Sequence, residues 1–277
     1  MDLFKYFVDY CIILCRKRSL NMLKIDRQNY ILEMLQEKGS ILVTDACEAL
    51  QCSDQTIRRD LQEMEEKGQL VRTYGGAYLS QDEDKSAPIQ LREQLIPKEK
   101  ERIGIIASDN FIKDGDVIMM DSSTTCYTLA KHLVKSQANV TIITNSINII
   151  KLFGNTNQTT KLICVGGTYK ERSGSFIGNN TINALSTFVA DKAFISCNAI
   201  SKKFGILDNY VQQQAVRKCM LEHSKEKYLL VDNTKFDDEG NFVIDSFKSL
   251  DGIITNKKPS DSWLEFFSQE NISILWK

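Results

Sequence analysis

The sequence of 277 residues has few groups that bind metals. It holds only two histidines, His132 and His223, and eight cysteines, none of which forms a Cys-x-x-Cys pair. Structural and catalytic zinc sites draw on closely spaced Cys and His ligands. We therefore expect no metal site and no cofactor. The scattered cysteines are interpreted as reduced thiols that serve as small hydrophobic residues in a cytoplasmic protein.

Motifs for nucleotide binding and for hydrolysis are also missing. The sequence has no G-x-x-x-x-G-K-[ST], no G-x-G-x-x-G and no G-x-S-x-G. These absences argue against a P-loop, a dinucleotide fingerprint and a hydrolase nucleophile elbow. The net charge of −1 points to no class of partner, and 42% apolar with 26% charged residues is ordinary for a globular protein. The length suggests two domains.

Long apolar runs are absent as well. The N-terminal stretch "MDLFKYFVDYCIILC" is interrupted by Lys5 and Asp9, whereas a membrane span needs about 20 apolar residues. Positive charges follow this stretch instead of preceding it, unlike in a secretory signal. We expect residues 1–24 to be an extension outside the fold, with Met22 as an alternative start, and we expect no membrane partner. A weak membrane anchor is the alternative interpretation.

Residues 25–80 show the pattern of three short helices and a hairpin. Apolar residues recur at helical spacing in three places: Ile31, Leu32 and Leu35, then Ala46, Ala49 and Leu50, then Ile57, Leu61 and Met64. Gly39 can end the first helix, and Ser53 is suited to cap the third. "QLVRTYGGAYL" predicts two strands with a turn at Gly75-Gly76. Together these elements predict a winged helix-turn-helix domain.

The third helix is the predicted DNA-reading element. Its apolar stripe leaves Arg58 and Arg59 on other faces, near the helix N-terminus, where the helix dipole favours negative charge. Either Asp54 and Asp60 neutralise them, or their partner is DNA, where Arg can bind guanine O6 and N7. We favour DNA. The predicted DNA-binding residues are Ser53, Gln55, Thr56, Arg58, Arg59 and Arg72.

The charge of this segment opposes the DNA hypothesis. Residues 27–79 contain six Lys and Arg but nine Asp and Glu, a net charge of −3, whereas DNA-binding domains are usually basic. The acidic residues gather in "EMEEKG", at the far end of the third helix. The hypothesis therefore depends on where the charges lie. A solvated helix face with i,i+4 ion pairs is the alternative.

The chain changes character after a polar linker at residues 81–97. From residue 98 to 277, short apolar runs such as "DVIMMD", "VTIIT" and "KAFISC" alternate with segments suited to helices. Such alternation is typical of parallel strands that helices bury on both faces. This predicts a larger α/β domain after the helix-turn-helix.

Polar residues follow several of these strands, where open α/β sheets bind ligands. Asp121 ends one strand, and four hydroxyl residues then precede a helix, an arrangement that can hold a phosphate or simply cap the helix. The predicted effector-binding residues are Asp121, Ser122, Ser123, Thr124, Thr125, Thr144, Asn145, Gly166, Gly167, Asp191, Lys218 and Lys235. They offer hydrogen-bonding groups for sugar hydroxyls and cations for a phosphate.

Several of these stretches resemble the DeoR family of bacterial transcription regulators. "TIRRDLQEMEEKGQLVRTYGGA" is similar to the family's helix-turn-helix signature, and "DGDVIMMDSSTT", "TIITNS", "VGG", "SFIG", "DKAF" and "DNTKF" follow in the family's order. The resemblance implies a winged helix-turn-helix joined to a Rossmann-like domain similar to phosphosugar isomerases. It also implies a repressor of sugar metabolism that a phosphorylated sugar releases from a double-stranded DNA operator.

The sequence departs from the family pattern at a few positions. Ser123 and Tyr74 replace a common Gly and His, and Gln213 and Gln214 stand where a Glu is common. These departures affect the choice of sugar more than the fold. A two-fold operator requires at least a dimer, so we expect a homo-oligomer.

Two other functions are weighed against repression. The residues do not separate an activator from a repressor. A sugar-phosphate isomerase would need a base of tuned pKa, and Asp191, Lys218 and Lys235 show no obvious acid–base pair. We therefore predict that the protein is not an enzyme.

Overall fold

The computed structural model describes residues 22–80, 84–153 and 159–277. Most of the predicted N-terminal extension, residues 1–21, lies outside the described residues. The chain divides into two compact units, the first ending at Gln81 and the second running from Asp82 to Lys277. Among the described residues, none of the helices combines the length and the apolar character that crossing a membrane requires.

The first unit is the predicted winged helix-turn-helix. Its elements are α1 (Lys24–Lys38), β1 (Ser40–Leu42), α2 (Val43–Leu50), α3 (Asp54–Glu66), β2 (Val71–Thr73) and β3 (Gly76–Tyr78). Ile57, Leu61 and Met64 of α3 are buried, as the apolar stripe predicts, and they share one core with Ile31 and Leu35 of α1. Burial of this stripe fixes which face of α3 is left exposed.

The ends of the helices also follow the predicted chemistry. Ser53 caps α3, because its side chain accepts a hydrogen bond from the Thr56 amide at 3.3 Å. Gly39 ends α1 with φ +73°, and its amide donates to the Leu35 carbonyl. A left-handed residue at this position is easiest for glycine, which has no Cβ.

The wing differs from the prediction in two details. Gly76 lies in β3 and pairs with Thr73, so the turn is formed by Tyr74 and Gly75 instead of Gly75 and Gly76. The short strand β1 was not predicted. It pairs with β3, which gives an antiparallel sheet in the order β1-β3-β2. The run "SILV" has too few residues to show a period, so only its pairing with β3 defines it as a strand.

The second unit is an α/β domain. Its helices are α4 (Ile89–Gln94), α5 (Pro97–Phe111), α6 (Thr124–Ser136), α7 (Ile147–Phe153), α8 (Asn179–Leu185), α9 (Val211–Glu222) and α10 (Asp261–Gln269). Its central strands are β4 (Val117–Met120), β5 (Thr141–Thr144), β6 (Lys161–Cys164), β9 (Ala190–Ile195), β12 (Ser224–Leu230), β14 (Gly252–Thr255) and β15 (Ile274–Trp276). The remaining strands are β7 (Thr168–Lys170), β8 (Ser175–Ile177), β10 (Ala199–Ser201), β11 (Gly205–Asp208) and β13 (Phe242–Asp245).

The described central strands form one parallel sheet in the order β15-β14-β12-β9-β4-β5-β6. From β4 the chain continues outward to β5 and β6, and it then returns to β9 on the other side. The strand order therefore reverses between β4 and β9. Ligands of open α/β sheets bind at such a switch point, beside the carboxyl ends of the strands.

Both faces of this sheet are buried. Ile118, Met120 and Phe194 pack on one face with residues of α5 and α6. Met119 and Ala193 pack on the opposite face with residues of α9 and α10. Alternate residues of each strand thus enter different cores, which explains why the strand sequences read as continuous apolar runs.

Candidate DNA-binding surface and effector site

The exposed N-terminal half of α3 carries the predicted DNA-binding residues. Ser53 and Gln55 are exposed, and Thr56 is half-buried, with its hydroxyl 2.8 Å from that of Ser53. Hydroxyl and amide groups at a helix N-terminus are suited to bind phosphate oxygens. The structure thus brings the polar members of the predicted set together at one end of the helix.

Arg58 is exposed but already has partners in its own chain. Its Nε donates to Asp54 Oδ1 at 2.6 Å, and its Nη1 donates to the Tyr74 carbonyl at 2.9 Å. The hydrogen bond that Arg58 donates to Asp54, opposed by partial burial, raises the pKa of Arg58. The expectation that this guanidinium lacks an internal counter-charge is therefore wrong. The bond to Tyr74 instead links the helix to the turn of the wing.

Arg59 is closer to the expected exposed arginine without a strong internal partner. Its side chain is 81% exposed, and its Nε lies 3.6 Å from Glu63 Oε1. Asp60, the other proposed counter-charge, is buried and accepts two hydrogen bonds from Arg27 of α1, one of them at 3.0 Å from Nη2. Asp60 therefore joins α1 to α3 instead of neutralising the exposed arginines.

A groove of this unit includes two cations that the prediction missed. It is lined by Lys24, Arg27, Gln55, Thr56, Arg59 and Asp60. Arg72, which the prediction included, is held by Glu65 through Nε at 2.6 Å and through its amide at 2.8 Å. Its charge is engaged within the wing, so a role in DNA binding remains a prediction.

The second site surrounds the switch point between β4 and β9. Asp121 follows β4 and is 1% exposed. Its Oδ1 accepts from the Ser123 amide at 2.9 Å, and its Oδ2 accepts from the Ser196 amide and from Arg217 Nε at 2.7 Å. Burial alone would raise the pKa of Asp121, but the charge of Arg217 and the hydrogen bonds from Ser123 and Arg217 lower it. The carboxylate is thus held ionised inside the domain.

The hydroxyl residues after Asp121 are all buried, and Ser123 has the capping role considered as the simpler interpretation. Its Oγ accepts from the Cys126 amide at 3.0 Å. Ser122 donates to Gln213 Oε1 at 3.4 Å. The turn therefore joins the start of α6 to α9.

The ends of β5 and β6 add further predicted residues. Thr144 donates to the Met120 carbonyl, and Asn145 Nδ2 donates to the Phe176 carbonyl at 2.7 Å. Asn145 Oδ1 is buried without a hydrogen-bond partner in the described part of the chain. Gly166 and Gly167 follow β6 and are exposed. A Cβ at Gly167 would lie 2.0 Å from Thr181 Oγ1, so this glycine allows close packing against α8.

Two of the predicted effector-binding residues do not belong with the others. Asp191 is the second residue of β9 and therefore lies at the amino-terminal edge of the parallel sheet, where its carboxylate accepts from the Val117 amide and from Lys225. Lys218 is exposed on α9. From the same helix, Gln213 contacts Ser122 and Arg217 contacts Asp121, the two residues that follow β4.

Lys235 lies near the switch-point edge together with cations that the prediction missed. Burial raises the pKa of Cys197 to about 12, and the charges of Lys235 and Arg217 oppose this rise. The pKa of Lys100 is lowered to about 7, mainly by burial and also by the charge of Lys235. We call the following group the cation cluster: Arg92, Lys100, Arg172, Arg217 and Lys235.

Arg217 is the member of this group that joins two buried carboxylates. It is 3% exposed and donates to both Asp121 and Asp208, each of which is 1% exposed. Gln213, four residues earlier on α9, donates to Ser175 Oγ at 2.8 Å. The i,i+4 spacing of Gln213 and Arg217 is the sequence signal that could have identified them as one face of α9.

A winged helix-turn-helix joined to an α/β domain with a polar, cation-bearing switch point defines a DNA-binding regulator with a sensor domain. Family comparison agrees: residues 27–83 match the DeoR-like helix-turn-helix domain, and residues 96–257 match the DeoR C terminal sensor domain. The chain belongs to the DeoR family of transcriptional regulators. The prediction of a regulator instead of an enzyme is thereby confirmed.

Similar proteins align along most of their length. The lactose phosphotransferase system repressor of Lactococcus lactis subsp. lactis is 34% identical over 90% of this chain and 97% of its own. The HTH-type transcriptional repressor GlcR of Bacillus subtilis is 29% identical over 92% and 96%. The glycerol-3-phosphate regulon repressor of Escherichia coli is 26% identical over 91% and 99%.

Proposed function

We propose that this protein represses a sugar-metabolism operon and that a phosphorylated sugar modulates its binding to the operator. The observation that carries the proposal is the buried Asp121–Arg217 pair at the switch point, whose charges also shift the pKa of Arg92. The names of the similar repressors, which refer to lactose and glycerol 3-phosphate, support this class of effector.

The side chains at the switch-point edge are suited to bind both the phosphate group and the hydroxyl groups of a sugar phosphate. Cations attract the phosphate, and charge-assisted hydrogen bonds are stronger than neutral ones. Asn145 Oδ1 is a buried acceptor with no bond among the described residues, and a sugar hydroxyl would satisfy it. An unsatisfied buried acceptor costs about 1–3 kcal/mol, so this atom favours a ligand that carries a hydroxyl.

In the same proposal, residues 25–80 bind the operator through α3 and residues 98–277 bind the effector. Arg58 uses two of its five N–H donors in the bonds to Asp54 and Tyr74. The guanidinium can therefore keep its place against the wing while it binds a phosphate or a guanine. Exposed i,i+4 ion pairs contribute only about 0.3–0.5 kcal/mol, less than the roughly 1–3 kcal/mol of a bidentate contact to guanine.

An operator with two-fold symmetry would require at least a dimer of this chain, with half-sites about 34–36 Å apart or a multiple of that distance. The proposed function also requires the compartment that holds the chromosome, so we infer that the protein acts in the cytoplasm. Effector binding would change the population of DNA-competent arrangements of the two units.

The experiment that tests DNA reading starts with a sequence selected from a random duplex pool by the wild-type protein. We expect Arg58→Ala to lose specific retardation of this duplex while its circular dichroism spectrum is unchanged. Arg102→Ala removes an exposed arginine of the second unit and should bind as the wild type does. Unchanged binding by Arg58→Ala would contradict the assignment of α3.

The effector is tested by thermal shift of the full chain with a panel of sugar phosphates. A ligand present at 100 times its Kd should stabilise the protein by about 2.7 kcal/mol. The parent sugars without phosphate are the control. Equal stabilisation by sugar and sugar phosphate would contradict a site built for an anion.

A further inference from the structure

The groove between α1 and α3 combines positive charge with the start of the helix that is proposed to read DNA. Its volume is about 480 Å³, a size typical of sites for small ligands. The lining carries three positive charges, from Lys24, Arg27 and Arg59, and one negative charge, from Asp60. The lining therefore has a net charge of +2, although residues 27–79 as a whole have a net charge of −3.

One side of this groove is fixed by a buried ion pair. Arg27 donates to both carboxylate oxygens of Asp60, which is 2% exposed. Such a bidentate pair has a defined geometry, and it joins α1 to α3. As a result, Lys24 of α1 and Arg59 of α3 line the same groove, next to the first turn of α3, where helix amides attract phosphate.

Glu63 is the internal anion on which these two cations converge. Its Oε2 forms an ion pair with Lys24 Nζ, and its Oε1 lies 3.6 Å from Arg59 Nε. Within the described residues these are the only ion pairs of Lys24 and Arg59, whose side chains are 49% and 81% exposed. The hydrogen bond from Lys24 lowers the pKa of Glu63, so its carboxylate is ionised at neutral pH.

A DNA phosphate can replace this carboxylate. Exposed ion pairs are weak, and the separation of Arg59 from Glu63 is too long for a hydrogen bond. An α-helix with its side chains is about 10–12 Å wide, nearly the width of the major groove, which is about 12 Å. A duplex that receives the start of α3 therefore brings backbone phosphates against the residues beside that helix.

We propose that the groove binds a phosphate of the operator backbone through Lys24 and Arg59, and that Glu63 holds these two cations until the phosphate replaces its carboxylate. This inference rests on the proposed function, because it requires that α3 binds DNA. A phosphate contact carries no sequence information of its own. The groove should therefore strengthen binding to every duplex by the same factor.

The first test measures how DNA binding depends on salt. Fluorescence anisotropy of the full-length chain is recorded at several KCl concentrations, with the duplex selected by the wild type and with a scrambled duplex. Lys24→Gln and Arg59→Gln should each weaken binding to both duplexes equally and reduce the slope of log K against log salt by about 0.9. The matched control is Lys38→Gln, which removes an exposed cation about 21 Å further along α1 and should keep the slope of the wild type.

The second test asks whether Glu63 competes with DNA. Glu63→Gln should bind both duplexes about fivefold more tightly than the wild type, because two exposed ion pairs no longer compete with the phosphate. The control is Glu66→Gln, because Glu66 is an exposed carboxylate of the same helix that accepts a hydrogen bond from Gln62. This control should change the affinity by less than about twofold, since charges of the exposed surface are screened by salt.

A combined variant separates competition from simple repulsion. In the Lys24→Gln/Arg59→Gln background, Glu63→Gln should gain no more affinity than Glu66→Gln does, because no cation of the pair is left for the carboxylate to hold. A larger gain in that background, equal gains of Glu63→Gln and Glu66→Gln in the wild type, or unchanged salt slopes of the two cation variants would overturn the inference alone. Failure of the wild type to bind any duplex would overturn the proposed function as well.

Discussion

Replacing Arg217 by Met tests whether one side chain holds the effector site together. The substitution keeps an unbranched apolar stem but removes the cation between Asp121 and Asp208. Both carboxylates are 1% exposed, so water cannot readily take the place of the guanidinium. The variant would leave two buried carboxylates without a cation, although each would still accept backbone amides.

The expected loss follows from burial. Removing one partner of a buried ion pair costs about 3–5 kcal/mol, because it leaves an uncompensated charge in the interior. For a domain of this size, each kcal/mol lowers the midpoint of thermal unfolding by about 2–4 °C. We therefore expect the second unit of Arg217→Met to melt roughly 6–20 °C below the wild type at neutral pH.

The same variant should depend on pH in a defined direction. In the wild type the pKa of Asp121 is lowered, so its stabilising effect is present above the unfolded value of about 3.9 and is lost only as the pH falls below it. Without Arg217, burial should raise the pKa of Asp121 above the unfolded value. The folded variant then takes up a proton as the pH falls, which stabilises it. The gap between wild type and variant should therefore shrink from pH 7.5 to pH 5.

Urea unfolding followed by tryptophan fluorescence measures the loss of stability in the second unit, which contains Arg217. The only tryptophans of the sequence, Trp263 and Trp276, both lie in the second unit. Lys218→Met is the control, because it removes the exposed cation beside Arg217 and should change stability by less than about 0.5 kcal/mol. A loss below about 1 kcal/mol for Arg217→Met at pH 7.5, or a gap that does not shrink at pH 5, would refute the reasoning.

Two other predictions use matched pairs. Gly167→Ala should destabilise the second unit by about 1–3 kcal/mol, because its Cβ would meet Thr181 Oγ1 and the Ile177 carbonyl. Gly166→Ala is the control and should lower the melting temperature much less, because its Cβ meets nothing within 4 Å. Equal shifts of the two variants in a thermal melt would contradict the close packing at Gly167. Lys235→Ala should weaken phosphate binding by about tenfold or more, since a charge-assisted hydrogen bond contributes about 1.5–3 kcal/mol. Lys218→Ala is the control and should bind phosphate as the wild type does. Equal losses of affinity for the two variants in calorimetry would exclude Lys235 from the site.

The helix-turn-helix could be predicted from the sequence because local signals agree with one another. The spacing of Ile57, Leu61 and Met64 fixes the buried face of α3, and Ser53 fixes where it begins. Strand β1 could not be predicted in this way, because its three residues gain their hydrogen bonds only from β3. Of the two counter-charges considered for the arginines, Asp54 pairs with Arg58 within one helix, as the less favoured alternative had it, but Asp60 pairs with Arg27, 33 residues away.

The effector site could be predicted only in part from the sequence. Asp121 and Asn145 were predicted because they follow buried strands, whereas Asp191 lies at the start of its strand and so had to lie at the opposite edge of a parallel sheet. Lys218 was predicted as a cation for a phosphate, whereas the neighbouring Arg217 was not considered. The buried residues of α9 include Gln213, Val216 and Arg217, which recur at helical spacing. Had this spacing been applied to polar as well as apolar residues, it would have predicted that Arg217 is buried. The bond from Arg217 to Asp121 joins residues 96 positions apart in the sequence. The pair could therefore be predicted only after both side chains had been inferred to be buried.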